Sequence, residues 1–170
     1  MKVFAVVFAG SMLVAAGASA QVTDPQIAKI VVTANQVDID AGKLAVSKST
    51  NPEIKKFAQT MVTDHTGVNK QAVDLATKLG VKPEDNDTAK SLASGGQANL
   101  ANLKTLKGKE FDKAYVDHEV AYHQAVLDAV DKTLIPGAKN DELKALLVKV
   151  RPAFVAHLEH AKMVQSDLSK

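Results

Sequence analysis

The chain has 170 residues, of which 21 are basic and 19 acidic, so its formal net charge is only +2 and it offers no broad basic surface for nucleic acid. It contains no cysteine, which excludes disulfides, a thiol nucleophile and thiolate metal ligands. It also has no tryptophan and only two tyrosines, so side chains that stack on bases are scarce. We therefore expect a domain that is stabilised by helix packing and has no nucleic-acid partner.

The first twenty residues have the pattern of a secretory signal peptide. Lys2 supplies the positive start, residues 3–16 are almost wholly apolar, and Ala18-Ser19-Ala20 is a small-residue cleavage site. A membrane anchor is the alternative, but it needs about 20 apolar residues and usually basic residues after them. Because polar residues follow instead, we expect cleavage after Ala20.

Cleavage would leave residues 21–170 as one domain without a transmembrane segment. A lipid-modified cysteine is excluded, since the chain has none. The expected localisation is therefore the periplasm or the medium.

The first helix is predicted from about residue 25 to residue 48. Asp24 and Pro25 form an N-cap followed by proline at the first helical position. The apolar residues that follow recur with helical spacing, as Ile27, Ile30, Val31, Ala34, Val37, Ala41, Leu44 and Ala45.

The second helix is predicted from about residue 52 to residue 79, antiparallel to the first, because Asn51 and Pro52 cap and restart the chain. Gly80 ends it as a C-cap. Residues 88–106 form a weaker pattern, interrupted by Gly95 and Gly96, and predict a short connecting helix, for which a break at these glycines stays open.

Two more long helices are predicted from about residue 110 to 133 and from about 141 to 168, with a turn at Pro136 and Gly137. Pro152 lies inside the last helix and should kink or split it. No segment alternates with period two, so no sheet is expected. Two helical hairpins joined by a long crossover predict an all-α, ferritin-like four-helix bundle with a short extra helix.

The sequence resembles a known family through a series of short strings spread over residues 21–170. They are Gly42-Lys43-Leu44-Ala45, Phe57-Ala58, Met61-Val62, Asp64-His65-Thr66 with Asn69, Phe111-Asp112 with Tyr115, His123, and His157-Leu158. Together they resemble domain-of-unknown-function family 4142, exported bacterial proteins whose fold is regarded as ferritin-like. The resemblance implies export and the bundle fold, and it implies no activity.

Each long helix carries one polar residue at a position that its apolar stripe otherwise fills. These residues are Asp38, His65, His123 and His157. Buried polar groups need partners, and mid-bundle carboxylates and histidines bind metal in ferritin-like proteins. The four residues are therefore candidate ligands of a transition metal ion, and the alternative is that they are core residues paired with neighbouring polar groups or water.

Two observations oppose a compact metal site. The di-iron pattern needs glutamate three residues before histidine, and no glutamate here has that spacing. If the last turn lies at Pro136, His123 and His157 differ in height by about 12 Å at 1.5 Å per residue.

Other chemistry-bearing patterns are weak. His118, Glu119 and His123 resemble a zinc-protease motif, but five residues separate the histidines and turn their side chains about 140° apart. His157 and His160 have ligand spacing near a helix end, where such a pair is commonly solvated. Tyr115 and Tyr122 are expected in the core with their hydroxyls at its rim. There is no nucleophile elbow or phosphate loop.

The leading functional expectation is an exported binding, interaction or envelope-stress module without catalytic activity. The alternative is a metal-binding or redox-active bundle that uses Asp38 and the three histidines. A second copy of the chain and an envelope protein both remain open as partners. If the histidines are buried and neutral, stability should rise with pH across the range in which histidine titrates.

Overall fold

The computed structural model describes residues 21–170, which form five helices of 19 to 28 residues and contain no strand. The helices are α1 (Asp24–Lys48), α2 (Pro52–Lys78), α3 (Asp87–Thr105), α4 (Gly108–Ala129) and α5 (Asp141–Leu168). The all-helical prediction is confirmed. The predicted signal peptide, residues 1–20, lies outside the described residues.

Helix α1 begins one residue earlier than the sequence pattern suggested. Thr23 is the N-cap, and it forms a capping box in which the Gln26 backbone N–H donates to the Thr23 hydroxyl and the Thr23 N–H donates to the Gln26 side chain. Asp24 instead accepts hydrogen bonds from the backbone N–H groups of Lys139 and Asn140, at 2.8 and 2.9 Å. These bonds attach the start of α1 to the connection between α4 and α5.

The helices pack as two sequential pairs. Helix α1 packs along α2 after the short connection at residues 49–51, and α4 packs along α5. The two pairs meet where α2 contacts α5 and α1 contacts α4, while α3 crosses between the pairs and packs mainly on α1. All four long helices therefore contribute to a shared interior.

Helix α3 is continuous through Gly95 and Gly96, so the break that the sequence left open does not occur. A Cβ atom on Gly96 would lie 2.7 Å from Cγ2 of Val37 on α1, whereas a Cβ atom on Gly95 would have nothing within 4 Å. Gly96 therefore permits the close approach of α3 to α1, and Gly95 has no such role.

The two glycines predict opposite effects of the same substitution. Gly95→Ala should raise the free energy of unfolding by about 0.5–1 kcal/mol, because alanine favours the helix over glycine. Gly96→Ala should lower it by about 1–3 kcal/mol, since the added methyl group overpacks against Val37. Urea titrations of both variants measure the difference, and equal effects would mean that α3 does not approach α1 as described.

The turn between α4 and α5 lies further along the chain than predicted. After Ala129 the chain continues through a π-helical turn, Val130–Leu134, and a short helical turn, Ile135–Gly137, before α5 starts at Asp141. The reversal is therefore centred near residues 138–140 instead of at Pro136. With that centre, His123 and His157 lie at similar distances from the turn, and the expected height difference disappears.

Pro152 does not divide the last helix, because α5 runs unbroken from Asp141 to Leu168. Proline removes one backbone donor, which leaves the carbonyl of Val148 without its usual helical partner. Both Pro152 and Val148 are exposed, so water can hydrate that carbonyl. The helix therefore tolerates Pro152 on its solvent face.

The interior consists of apolar clusters toward each end of the long helices. One includes Phe57, Met61, Phe111 and Tyr115, and the other includes Ile27, Ile30, Leu134 and Leu147. Between them, the middle of each long helix contributes buried polar side chains: Asn35, Asp38, His65, Glu119, His123 and His157. The fold therefore contains a polar layer between two apolar regions.

None of the helices within residues 21–170 combines the length and the apolar character that a membrane crossing requires.

Candidate metal centre

The structure brings all four predicted residues together in the polar layer. Asp38 comes from α1, His65 from α2, His123 from α4 and His157 from α5, and each side chain is at most 5% exposed. The ring centroids of the three histidines lie 5.1 to 5.5 Å apart, and one ligand atom of each lies within 4.8 Å of the others. The compact arrangement results from the late position of the α4–α5 turn.

Asn35 fixes the orientation of His65. The Asn35 amide nitrogen donates to the backbone carbonyl of Val31 at 2.8 Å, so its oxygen faces the imidazole. His65 Nδ1 donates to that oxygen at 2.7 Å and therefore carries the ring proton. Nε2 of His65 keeps its lone pair and has no hydrogen-bond partner among the described protein atoms.

The other two imidazoles are held in the same manner. His123 Nδ1 donates to the backbone carbonyl of Glu119 at 3.0 Å, and His157 Nε2 donates to the Asp64 carboxylate at 2.9 Å. Within residues 21–170, His123 Nε2 and His157 Nδ1 have no hydrogen-bond partner. Each ring therefore has one nitrogen tied to an orienting acceptor and one buried nitrogen free to ligate, the arrangement that protein metal sites use.

His65 and His123 are also in the protonation state that metal binding needs. Burial, together with the neighbouring His123 and His157 rings, lowers the pKa of His65 to about 2. Burial and the neighbouring His157 ring likewise lower the pKa of His123 to about 4. Both rings are therefore neutral at pH 7, and a cation would not have to displace a proton from them.

Two buried carboxyl groups adjoin the histidines. Asp38 Oδ2 lies 3.6 Å from His65 Nε2, and Glu119 Oε2 lies 3.5 Å from His123 Nδ1. Burial raises the pKa of Asp38 to about 7, and burial together with the charge of Asp38 raises the pKa of Glu119 well above its usual value.

Two residues of this layer, Glu119 and Asn35, were not predicted from the sequence, nor was the partly exposed Asp64 that orients His157. Glu119 was considered only within a protease-like motif, although its position three residues after Val116 and four before His123 places it on the buried stripe. Asn35 and Asp64 carried no such signal, because their role depends on which histidine each one faces across the helix interface.

The remaining candidates lie apart from the cluster or differ from expectation. Tyr122 donates its hydroxyl to the backbone carbonyl of Ala34 at 3.1 Å, at the rim as expected. Tyr115 is fully buried, and its hydroxyl has no hydrogen-bond partner among the described residues. His118 stacks on Tyr122, and His160 packs edge-on against Phe57, so neither joins the three-histidine group.

Phe154 covers one face of His65, because its buried ring stacks on that imidazole with the centroids 5.3 Å apart. Asp64, which orients His157, has a side chain that is 45% exposed. The site is therefore deeply buried, and Asp64 links His157 to the protein surface.

A comparison with solved structures shows a similar fold in another protein. The chain described as "CopM in the Cu(II)-bound form" superposes with a TM-score of 0.66 and 19% sequence identity. The match covers 86% of the present chain and 98% of that chain, so the two share an all-helical fold over most of their lengths. No curated protein matches the sequence.

The family resemblance is also confirmed. The model described as "Domain of unknown function (DUF4142)" matches residues 9–164, which is most of the chain. The chain therefore belongs to the DUF4142 family.

Proposed function

We propose that this protein binds copper through the imidazoles of His65, His123 and His157. The observation that carries the proposal is the convergence of three buried histidines whose free nitrogens have no partner among the described atoms. Leaving such groups buried and unpaired costs about 1–3 kcal/mol each, which a bound metal ion would offset. A core held together by structural histidines would instead need a buried water molecule at the second nitrogen of each ring.

The donor set favours copper among the divalent metals. Imidazole nitrogens suit Cu, Zn, Ni and Fe, and affinity for a given nitrogen or oxygen site peaks at Cu(II). The solved structure with a similar fold is described as Cu(II)-bound, which supports the same choice here. Asp38 is proposed to offset the cation's charge from beside His65.

The proposal extends to the wider setting of the domain. Residues 1–20 act as a cleaved signal peptide, and residues 21–170 form a ferritin-like four-helix bundle in the periplasm or the medium. The bundle binds its ligand without catalysing a reaction, consistent with the absence of a nucleophile elbow or phosphate loop in the sequence. An interaction or envelope-stress role remains a broader proposal for the same domain, and the metal-binding alternative has the more specific support.

Copper binding is tested with untagged protein, because a histidine tag would bind the metal itself. The full chain is expressed with residues 1–20 intact, purified and dialysed against Cu(II), after which metal content and thermal unfolding are measured. At least one copper per chain is expected, and copper at 100 times its dissociation constant should stabilise the fold by about 2.7 kcal/mol. Copper at background level, with no change in melting, would reject the proposal and leave the histidines as structural residues.

A further inference from the structure

Two carboxyl groups in the polar layer have no role in holding the three histidines. Asp38 of α1 and Glu119 of α4 are 3% and 0% exposed. Asp38 Oδ1 and both carboxyl oxygens of Glu119 have no hydrogen-bond donor outside this pair among the described residues. The two carboxyls can share a hydrogen bond only while one of them keeps its proton, and their other oxygens are then still without a donor, so burying both acids side by side is costly and requires an explanation.

The geometry around these carboxyls is that of a second ligand group. One ligand atom each of Asp38, Glu119 and His123 lies within 4.8 Å of the others. Tyr115 lies four residues before Glu119 on α4, so the two side chains share one face of that helix. Its hydroxyl is fully buried and has no hydrogen-bond partner among the described atoms. A further polar group on the same helix face is therefore left without a partner next to Glu119.

The two ligand groups are contiguous. Asp38 reaches both, since its Oδ2 lies 3.6 Å from His65 Nε2 while its carboxyl also belongs to the group with Glu119. Because His123 Nδ1 is occupied by the Glu119 carbonyl, oxygen atoms are the donors available at the second position. Protein sites that hold two metal ions place them about 3.5–4 Å apart, which suits adjoining groups of this size.

We propose that Asp38 and Glu119, with the Tyr115 hydroxyl beside them, bind a second divalent first-row metal ion next to the three-histidine site. This inference rests on the proposed function, because the second position is built against the first. The two carboxylates supply the negative charge that a second cation requires in a buried layer. Their oxygen donors suit harder ions than the imidazole site does, such as Mn(II) or Fe(II).

Cu(II) itself is the probe, because any nitrogen or oxygen site that accepts a divalent first-row ion binds Cu(II) more tightly. Metal-free, untagged protein is dialysed against increasing Cu(II), and bound copper is compared with the intensity of the electron paramagnetic resonance signal. Two copper ions per chain are expected. The signal should fall below the value for isolated ions once the second binds, because neighbouring Cu(II) ions couple magnetically.

Glu119→Gln should reduce the stoichiometry from two to one and restore the full signal per bound copper, and Asp38→Asn is a second variant with the same expectation. Asp112→Asn is the matched control, since Asp112 is another buried acid on α4 that lies outside both ligand groups. It should retain two copper ions. Circular dichroism establishes that each variant is folded.

The outcomes separate the two proposals. One copper per chain with full signal in the wild type would overturn the second position and leave the three-histidine site intact. No bound copper would overturn both. Two copper ions that persist in both Glu119→Gln and Asp38→Asn would place the second ion elsewhere and overturn the inference.

Discussion

Replacing His123 with glutamine is expected to lower the affinity for Cu(II) more than about 100-fold. Substituting a residue that merely orients a metal ligand typically costs 10–100-fold, and His123 is itself a proposed ligand. Its free Nε2 lies in the centre of the polar layer, where helix packing leaves little room for another side chain to replace it. Competition against a chelator of known affinity measures the change.

His118→Gln is the matched control for this experiment. His118 lies on the same helix, but it stacks on Tyr122 and belongs to neither ligand group of the described structure. Its substitution should leave copper affinity within about threefold of the wild type, a change of less than about 1 kcal/mol. Equal losses in His118→Gln and His123→Gln would show that copper binds elsewhere on α4 or that both variants misfold.

The metal-free protein is expected to show only a weak rise in stability with pH between about 4.5 and 6.5, which comes from His118 because burial lowers its pKa too, and falling stability above that range. His65 and His123 have folded pKa values of about 2 and 4, lowered from 6.5, so the unfolded chain binds their protons first and stability rises with pH. Asp38 and Glu119 have raised folded pKa values, so the folded chain binds their protons more readily and stability falls with pH.

The rising slope from the two histidines and the falling slope from the two acids cancel only in the pH range where the folded and unfolded chains differ in the protonation of all four groups. Above about pH 6.5 the histidines are neutral whether the chain is folded or not, and the acids alone set the slope. Each uncompensated acid should then lower stability by roughly 1 kcal/mol per pH unit until its folded pKa is passed. Exposed acids with lowered pKa values, such as Asp117 and Asp131, titrate below about pH 4 and do not affect this window.

Glu119→Gln isolates the histidine contribution. Glu119 contributes a decrease in stability with rising pH, and the variant lacks it. The stability of the variant should therefore rise with pH between about 4.5 and 6.5 and should fall less steeply above pH 6.5. Urea titrations at half-unit pH intervals, in the presence of chelator, give both curves. A wild-type stability that rises steadily from pH 5 to 8 would mean that the two acids are not buried as the structure describes.

This pH dependence differs from the one expected when only the histidines were considered, because the sequence indicated some of the buried polar residues and not others. The apolar stripes locate Asp38, His65, His123 and His157 because each interrupts a helical repeat that is visible along the chain. Glu119 also lies on such a stripe, but the motif around it drew attention to a protease-like spacing. The second buried acid makes stability fall with pH above neutrality, where the histidines alone would leave it unchanged.

Features that depend on tertiary contacts were harder to predict from the sequence. The π-helical turn at Val130–Leu134 moves the hairpin reversal by several residues, and no local sequence pattern predicts this turn. Helix propensity alone disfavours a helix at Gly96, yet this glycine allows α3 to pack against Val37. Asn35 and Asp64 become meaningful only when the facing histidines are known.

Diffraction from copper-loaded crystals at the copper absorption edge tests whether copper binds among His65, His123 and His157. We expect a strong anomalous peak within bonding distance of His65 Nε2, His123 Nε2 and His157 Nδ1. Anomalous peaks confined to His118, His160 or surface carboxylates, with the polar layer showing none, would contradict it.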